Sequence, residues 1–121
     1  AMVDALVEGR ASTAARLLHQ LLEEGQTAPY LLFMITRQLR LLLQAKELSL
    51  GGESASSIKE RLGLASDYTL NKALEQGKRY SMKRLEQVYQ KLLETDVAIK
   101  RGIWKGEHAL DLLVAELCPV P

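Results

Sequence analysis

Hydrophobic residues recur at steps of three and four along most of the chain, and this spacing predicts helices rather than strands. No stretch alternates apolar and polar residues for long, and no internal repeat is visible. Glycines and capping residues divide the pattern into about seven segments. We therefore predict an all-α fold, a compact orthogonal bundle of about six or seven helices joined by short loops.

The first five predicted helices follow one another with short gaps. The first helix covers Val3–Glu8, and the second begins at Ser12 or Thr13 and ends at Gly25. The third begins at Thr27. The fourth begins at Ser56 or Ser57 and ends at Gly63, and the fifth runs from Ser66 or Asp67 to Gln76. The third is apolar on several sides between Leu31 and Leu43, so it should lie at the centre of the bundle.

The last third of the chain, Tyr80–Leu117, predicts a long amphipathic helix, a glycine stop and a second apolar helix. Ser81 can cap the first free amides of the long helix, and Gly102 can adopt the left-handed conformation that ends it. The apolar stripe of this helix consists of Leu85, Tyr89, Leu92, Ile99 and Ile103. Asp96 falls on the same stripe, where a purely structural pattern would carry an apolar residue.

Asp96 allows two interpretations. It can form an ordinary pair with Lys100, four residues later, which would stabilise the helix by about 0.2–0.5 kcal/mol. Alternatively it is partly buried and accepts hydrogen bonds from another segment or from Lys100, because a carboxylate beside apolar surface is costly unless it is paired. We favour the second interpretation, in which the Asp96–Lys100 pair sets how the last two helices meet. Neither interpretation makes Asp96 catalytic.

The order and spacing of these residues resemble the C-terminal domain of the bacterial DNA polymerase III delta subunit, a component of the clamp loader. The matching positions are Tyr80, Ser81, Leu85, Leu92, Asp96, Ala98, Ile99, Lys100, Gly102, Ala109, Leu110, Leu112 and Leu113. Arg37–Leu48 resembles the long central helix of that family, and Ile58–Leu64 resembles its short helix ending in Leu-Gly. One departure is Ala65–Tyr68, where the family usually has a His-Pro-aromatic turn.

The resemblance implies a subunit-assembly module, or collar domain, that packs against the C-terminal domains of the other clamp-loader subunits. Such a domain supports the loading of the sliding clamp in DNA replication. The resemblance also implies that the sliding clamp is bound only through an N-terminal domain outside this chain, that DNA is contacted indirectly, and that the protein works in the bacterial cytoplasm. The domain itself would not be an enzyme, although its parent belongs to a holoenzyme with DNA polymerase, and hence transferase, activity.

An alternative from a different class is a helix-turn-helix fragment of a transcriptional regulator. The two short helices around Gly63 have the general shape of that motif. The second helix offers Asn71 and Lys72, whose side chains could contact base edges. An ordinary helical hairpin is the simpler interpretation, because the same helix carries Glu75 and few arginines.

Two features of the last third are candidate interface residues. Arg79 and Arg84 belong to a basic cluster around Tyr80, and Trp104 follows the glycine stop between the last two helices. Tryptophan, tyrosine and arginine are common anchors of protein interfaces. The simpler alternatives are a solvated helix start for the cluster and a core plug for Trp104.

The composition and the absence of known motifs exclude several classes of function. The 121 residues support one domain, and the formal net charge of +1 gives no general electrostatic reason to bind nucleic acid or membranes. No phosphate-binding loop is present, and the two histidines and Cys118 show no metal-ligand spacing. The sequence therefore predicts no cofactor and no metal. No apolar run approaches the ~18 residues of a membrane span.

The chain begins Ala1–Met2 and leads directly into a predicted helix. An alanine before the methionine is typical of a cleaved tag. We therefore expect residues 1–121 to be a single domain excised from a longer protein.

Overall fold

The computed structural model describes residues 1–118 as seven α-helices without a strand. The helices are α1 (Met2–Val7), α2 (Ala11–Glu23), α3 (Ala28–Leu50), α4 (Ala55–Arg61), α5 (Asp67–Gly77), α6 (Met82–Lys100) and α7 (Gly106–Leu117). The all-α prediction is confirmed, as is the division of the last third into a long helix and a shorter one.

Four helices begin at a hydroxyl side chain that caps the first turn. Thr27, Ser54, Ser66 and Ser81 each accept a hydrogen bond from the backbone N–H three residues later. The predicted starts at Thr27 and Ser81 are confirmed. The predicted starts of α2 and α4 are wrong by a few residues, because α2 begins directly after Arg10 without a side-chain cap and α4 is capped by Ser54.

The central helix is α3, which packs against α1, α4, α5, α6 and α7. Its buried side consists of Leu31, Leu32, Ile35, Leu39, Leu42 and Ala45. The predicted central position is confirmed. The helix is not enclosed on all sides, however, since Tyr30 and Phe33 are exposed.

The junction of α6 and α7 depends on two glycines. Gly102 has φ of +72° and ends α6, as the sequence predicts. Gly106 begins α7 so close to α3 that a Cβ atom there would collide with the Cβ of Ala28. The start of α7 therefore lies directly against the start of α3, an approach that only glycine allows at this position.

Candidate functional site

The Asp96–Lys100 pair lies on the outer surface of α6. The Nζ atom of Lys100 donates a hydrogen bond of 2.8 Å to Oδ2 of Asp96, and both side chains are substantially accessible to solvent. Within residues 1–118, Asp96 accepts no side-chain hydrogen bond from another segment. Asp96 is half-buried and accepts from Lys100 of its own helix, so the pair is an intrahelical one. That the pair sets how the last two helices meet stays a prediction.

Trp104 lies in the turn between α6 and α7 and is 41% exposed. Its ring is tilted against that of His108, with 5.8 Å between the ring centroids. The backbone N–H groups of Ile103 and Trp104 both reach the carbonyl oxygen of Ala98, at 2.9 and 3.4 Å. Because two-fifths of the side chain is exposed, Trp104 is not a core plug.

An apolar groove of about 410 Å³ runs beside Trp104 between α6 and α7. We call it the α6–α7 groove, and its lining consists of Lys91, Glu94, Thr95, Ala98, Trp104, Ala109, Leu112, Leu113, Ala115 and Glu116. Leu112, one of the lining residues, is 41% exposed. Exposed apolar surface rimmed by polar side chains is typical of a protein-interaction site. Sequence spacing missed this groove, because it depends on how far apart the two helices lie.

Tyr80 is a core residue and not an interface residue. It is only 5% exposed, and its hydroxyl donates a hydrogen bond of 2.6 Å to the carbonyl oxygen of Val7. Burial raises the pKa of the Tyr80 hydroxyl, and the charge of Arg79 opposes this effect only in part. The predicted interface role of Tyr80 is therefore wrong, because the side chain is enclosed by α1 and the last helices.

Arg79 connects three parts of the chain that are distant in sequence. Its Nη1 atom lies 2.9 Å from the Tyr80 hydroxyl, 3.2 Å from the carbonyl oxygen of Leu117 and 3.4 Å from that of Val7. Its guanidinium also lies over the ring of Tyr80, 5.3 Å from the centroid. The side chain thus ties the ends of α1 and α7 to the start of α6.

Arg84 makes a similar connection further along α6. It donates hydrogen bonds to the Oε1 atom and the backbone carbonyl of Glu116, at 3.3 and 3.2 Å. Lys78 in turn pairs with Glu75 at 3.0 Å. The basic cluster predicted around Tyr80 is therefore largely engaged within the domain, and Arg79 and Arg84 offer little free charge to a partner.

The side of α5 that would read DNA in a helix-turn-helix is partly covered by the acidic side of α1. Lys72 pairs with Asp4 at 3.2 Å, and the buried Gln76 donates to both Asp4 and Glu8 at 2.8 Å. Burial raises the pKa of Asp4, but the hydrogen bonds from Gln76 and Lys72 outweigh it and leave the pKa below its usual value. These carboxylates would repel DNA phosphates approaching Lys72. The sequence gives no sign of this network, because its members lie about 70 positions apart in the chain.

The remaining reactive side chains serve structural contacts. Cys118 is buried, its thiol lies 3.4 Å from the carbonyl oxygen of Leu6, and burial raises the pKa of the thiol. His19 pairs with Asp111 at 2.9 Å and so links α2 to α7. In the part of the chain that the structure describes, no three His, Cys, Asp or Glu side chains are placed to hold a metal ion. None of the helices within residues 1–118 is both long and apolar enough to cross a membrane.

Comparison with known proteins gives one family and one solved structure. Residues 1–117 match the family model described as the DNA polymerase III delta subunit, C-terminal domain. The structure is similar to the Bacillus subtilis DNA clamp loader delta protein, with a TM-score of 0.88 and 20% sequence identity over 98% of this chain. The chain corresponds to 35% of the length of that protein. No curated protein matches the sequence.

Proposed function

The chain belongs to the family of C-terminal domains of the DNA polymerase III delta subunit, and on that premise we propose that it is a subunit-assembly module of the clamp loader. The domain packs against the C-terminal domains of other clamp-loader subunits and helps to hold them together. The observation that carries this proposal is the family match, which extends over residues 1–117 and so includes every helix. A domain of this family is a structural, non-catalytic part of its parent.

The wider role of the parent forms part of the same proposal. The assembled loader places the sliding clamp on DNA during replication in the bacterial cytoplasm. The clamp is bound by an N-terminal domain of the parent, and this domain meets DNA only indirectly. Polymerase activity belongs to the holoenzyme in which the parent works.

The α6–α7 groove supports an assembly role. Trp104 and Leu112 provide exposed apolar surface there, with Glu94 and Lys91 at the rim. A tryptophan in a partly desolvated groove is a common anchor for a partner protein. Burial of such surface contributes a favourable term of about 25 cal/mol for each Å² removed from water, which must exceed the entropy lost on association.

The proposal is tested by mixing the chain with the purified remaining clamp-loader subunits and measuring complex formation by size-exclusion chromatography. We expect co-elution, which Trp104→Ala and Leu112→Ser weaken. Leu50→Ser is the matched control, because Leu50 is 69% exposed at the end of α3 and does not line the groove. Absence of any complex with the wild-type chain would contradict the assembly role.

Titration of labelled duplex DNA with the chain at several salt concentrations distinguishes the assembly module from the helix-turn-helix alternative. A transcriptional regulator would bind tightly with a steep salt dependence, because its lysines and arginines displace counterions from the phosphates. We expect weak binding, since Lys72 is paired with Asp4 and the net charge is only +1.

A further inference from the structure

The only phenylalanine of the chain lies on the surface. Phe33 is 61% exposed and Tyr30, one turn earlier in α3, is 50% exposed. Arg37 and Arg40 are also exposed and follow at steps of four and three, which places all four residues on one side of the helix. We call these four residues the α3 stripe, and it is about 15 Å long.

The α3 stripe carries positive charge without a local counterion. No acidic residue occurs between Glu24 and Glu47 in the sequence. Among residues 1–118, no carboxylate pairs with Arg37 or Arg40, whereas Arg10, Arg61 and Arg84 each have one. The two guanidinium groups are therefore available to carboxylates of another molecule.

The α3 stripe lies outside the hydrophobic core of the domain. The core-facing residues of α3, such as Ile35 and Leu39, lie on the opposite side of the helix from Phe33 and Arg37. Leaving two aromatic rings in water has no benefit for the isolated domain, since each would be more stable if its apolar surface were buried. The α3 stripe is also separate from the α6–α7 groove, which no residue of α3 lines.

We infer that the α3 stripe binds an amphipathic helix of a neighbouring clamp-loader subunit, one that carries carboxylates beside apolar side chains. Tyr30 and Phe33 bury against the apolar side of that helix, and Arg37 and Arg40 pair with its carboxylates. Arginine, tyrosine and phenylalanine are enriched in protein interfaces: the aromatic rings supply large apolar contact area, and the guanidinium group supplies directional hydrogen bonds. The inference rests on the proposed function and adds to it a second surface beside the α6–α7 groove.

A module that contacts two different neighbours needs two different surfaces. Head-to-tail contacts use two different patches on each subunit, one for each neighbour. The α6–α7 groove is apolar with a mixed rim, whereas the α3 stripe is aromatic and basic. The two surfaces therefore select partners of different chemistry.

Nucleic acid is the competing occupant, and the charge distribution disfavours it. Two arginines give a short positive segment, while a groove for single-stranded DNA follows the backbone over several nucleotides with many cations. The net charge of +1 supplies no wider positive field.

The test compares variants of the full 121-residue chain for binding to the purified neighbouring subunits. Phe33→Ala removes the aromatic anchor, and the double variant Arg37→Glu/Arg40→Glu reverses the charge. Tyr68→Ala and Arg16→Glu are matched controls, because Tyr68 is 71% exposed on α5 and Arg16 is exposed on α2. Circular dichroism melting of every variant shows whether its fold is intact.

We expect Phe33→Ala and the double variant each to weaken binding by about tenfold or more, and both controls to stay within about twofold of the wild type. The double variant should also show a smaller salt dependence of the dissociation constant. If the wild-type chain binds and the α3 variants bind equally well, the inference is wrong while the proposed function stands. If the wild-type chain does not bind the subunits at all, both fail.

A labelled 30-nucleotide single strand serves as the nucleic-acid probe. Binding of this strand by the wild-type chain, lost in the Arg37→Glu/Arg40→Glu variant while subunit binding is retained, would overturn the inference and identify the α3 stripe as a DNA contact. The expected result is that the strand binds weakly and that the double variant does not change it.

Discussion

The hydroxyl group of Tyr80 donates a hydrogen bond of 2.6 Å to the carbonyl oxygen of Val7. This contact joins the connection between α5 and α6, two positions before α6 begins, to the last residue of α1; the two residues lie 73 positions apart in the sequence. Arg79 reaches the same carbonyl oxygen and that of Leu117. The end of α1 is thereby linked to the end of α7 and to the segment that leads into α6.

Removal of the Tyr80 hydroxyl tests this contact. We expect Tyr80→Phe to lower the free energy of unfolding by about 1–3 kcal/mol, because the buried carbonyl oxygen of Val7 loses its shortest hydrogen bond. The measurement is chemical denaturation of the variant and the wild type. Tyr68→Phe is the control and should change stability by less than about 0.5 kcal/mol, since that side chain is exposed. Equal stability of Tyr80→Phe and the wild type would contradict the structural role.

Gly9 lies so close to Arg79 that substitution of this glycine should destabilise the fold. Gly9 has φ of +78°, and a Cβ atom there would collide with the Arg79 guanidinium. Gly25 has φ of +98° but has open space around it. We expect Gly9→Ala to destabilise the fold more than Gly25→Ala, which incurs only the backbone strain of about 1 kcal/mol.

A double-mutant cycle isolates the steric part of this effect. In an Arg79→Ala background, the cost of Gly9→Ala should fall to that of Gly25→Ala, because the colliding group is gone. Denaturant unfolding of the four chains in the cycle provides the comparison. An unchanged cost would mean that the guanidinium is not the obstacle.

Removal of the exposed Asp96–Lys100 pair on α6 should have little effect on stability. Asp96→Ala should change the free energy of unfolding by less than about 0.5 kcal/mol, because an exposed intrahelical pair contributes little. Thermal or chemical unfolding measures the change, with Lys100→Ala as the companion variant. A loss above about 1 kcal/mol would restore the interpretation of Asp96 as an acceptor for a buried group.

Asp4 predicts an acid-dependent loss of stability. Burial raises the pKa of Asp4, but the hydrogen bonds from Gln76 and Lys72 outweigh that effect and hold the pKa below the usual value of an aspartate. The ionised form therefore stabilises the fold above the unfolded pKa, and this contribution disappears as the pH falls through the folded pKa. Replacement by asparagine removes the titration.

The measurement for Asp4 is denaturant unfolding of the wild type and Asp4→Asn at several pH values between about 6 and 2.5, a range that spans the usual carboxyl pKa. The wild type should be the more stable protein at pH 6, and the difference should shrink below pH 4. A difference that stays constant over the whole range would exclude this titration as its source.

Cys118 predicts slow thiol chemistry in the folded chain. The side chain is buried, and its pKa is raised by that burial, so little thiolate is present at neutral pH. We expect a disulfide reagent such as DTNB to modify the native chain far more slowly than the chain in denaturant. The unfolded chain is the control for full reactivity, and rapid modification of the native chain would contradict the burial.

The sequence by itself determined the features that depend on near neighbours. The caps at Thr27 and Ser81 and the glycine stop at Gly102 were predictable, because the groups involved lie within a few residues of each other. The positions from Tyr80 to Leu113 that match the family could also be recognised, because their order and spacing are properties of the sequence itself. Helix starts without a side-chain cap, such as that of α2 after Arg10, were harder to place.

Only the tertiary structure decided which of these residues face water, since that depends on where helices distant in sequence come to lie. Tyr80 and Asp96 both fit the family pattern, yet α1 buries the first, and the second lies on the outer surface of α6. Phe33 and Arg37 are spaced like residues of a central helix, but no other helix covers that side of α3 within the described residues. Spacing specifies a side of a helix, and packing alone specifies what that side meets.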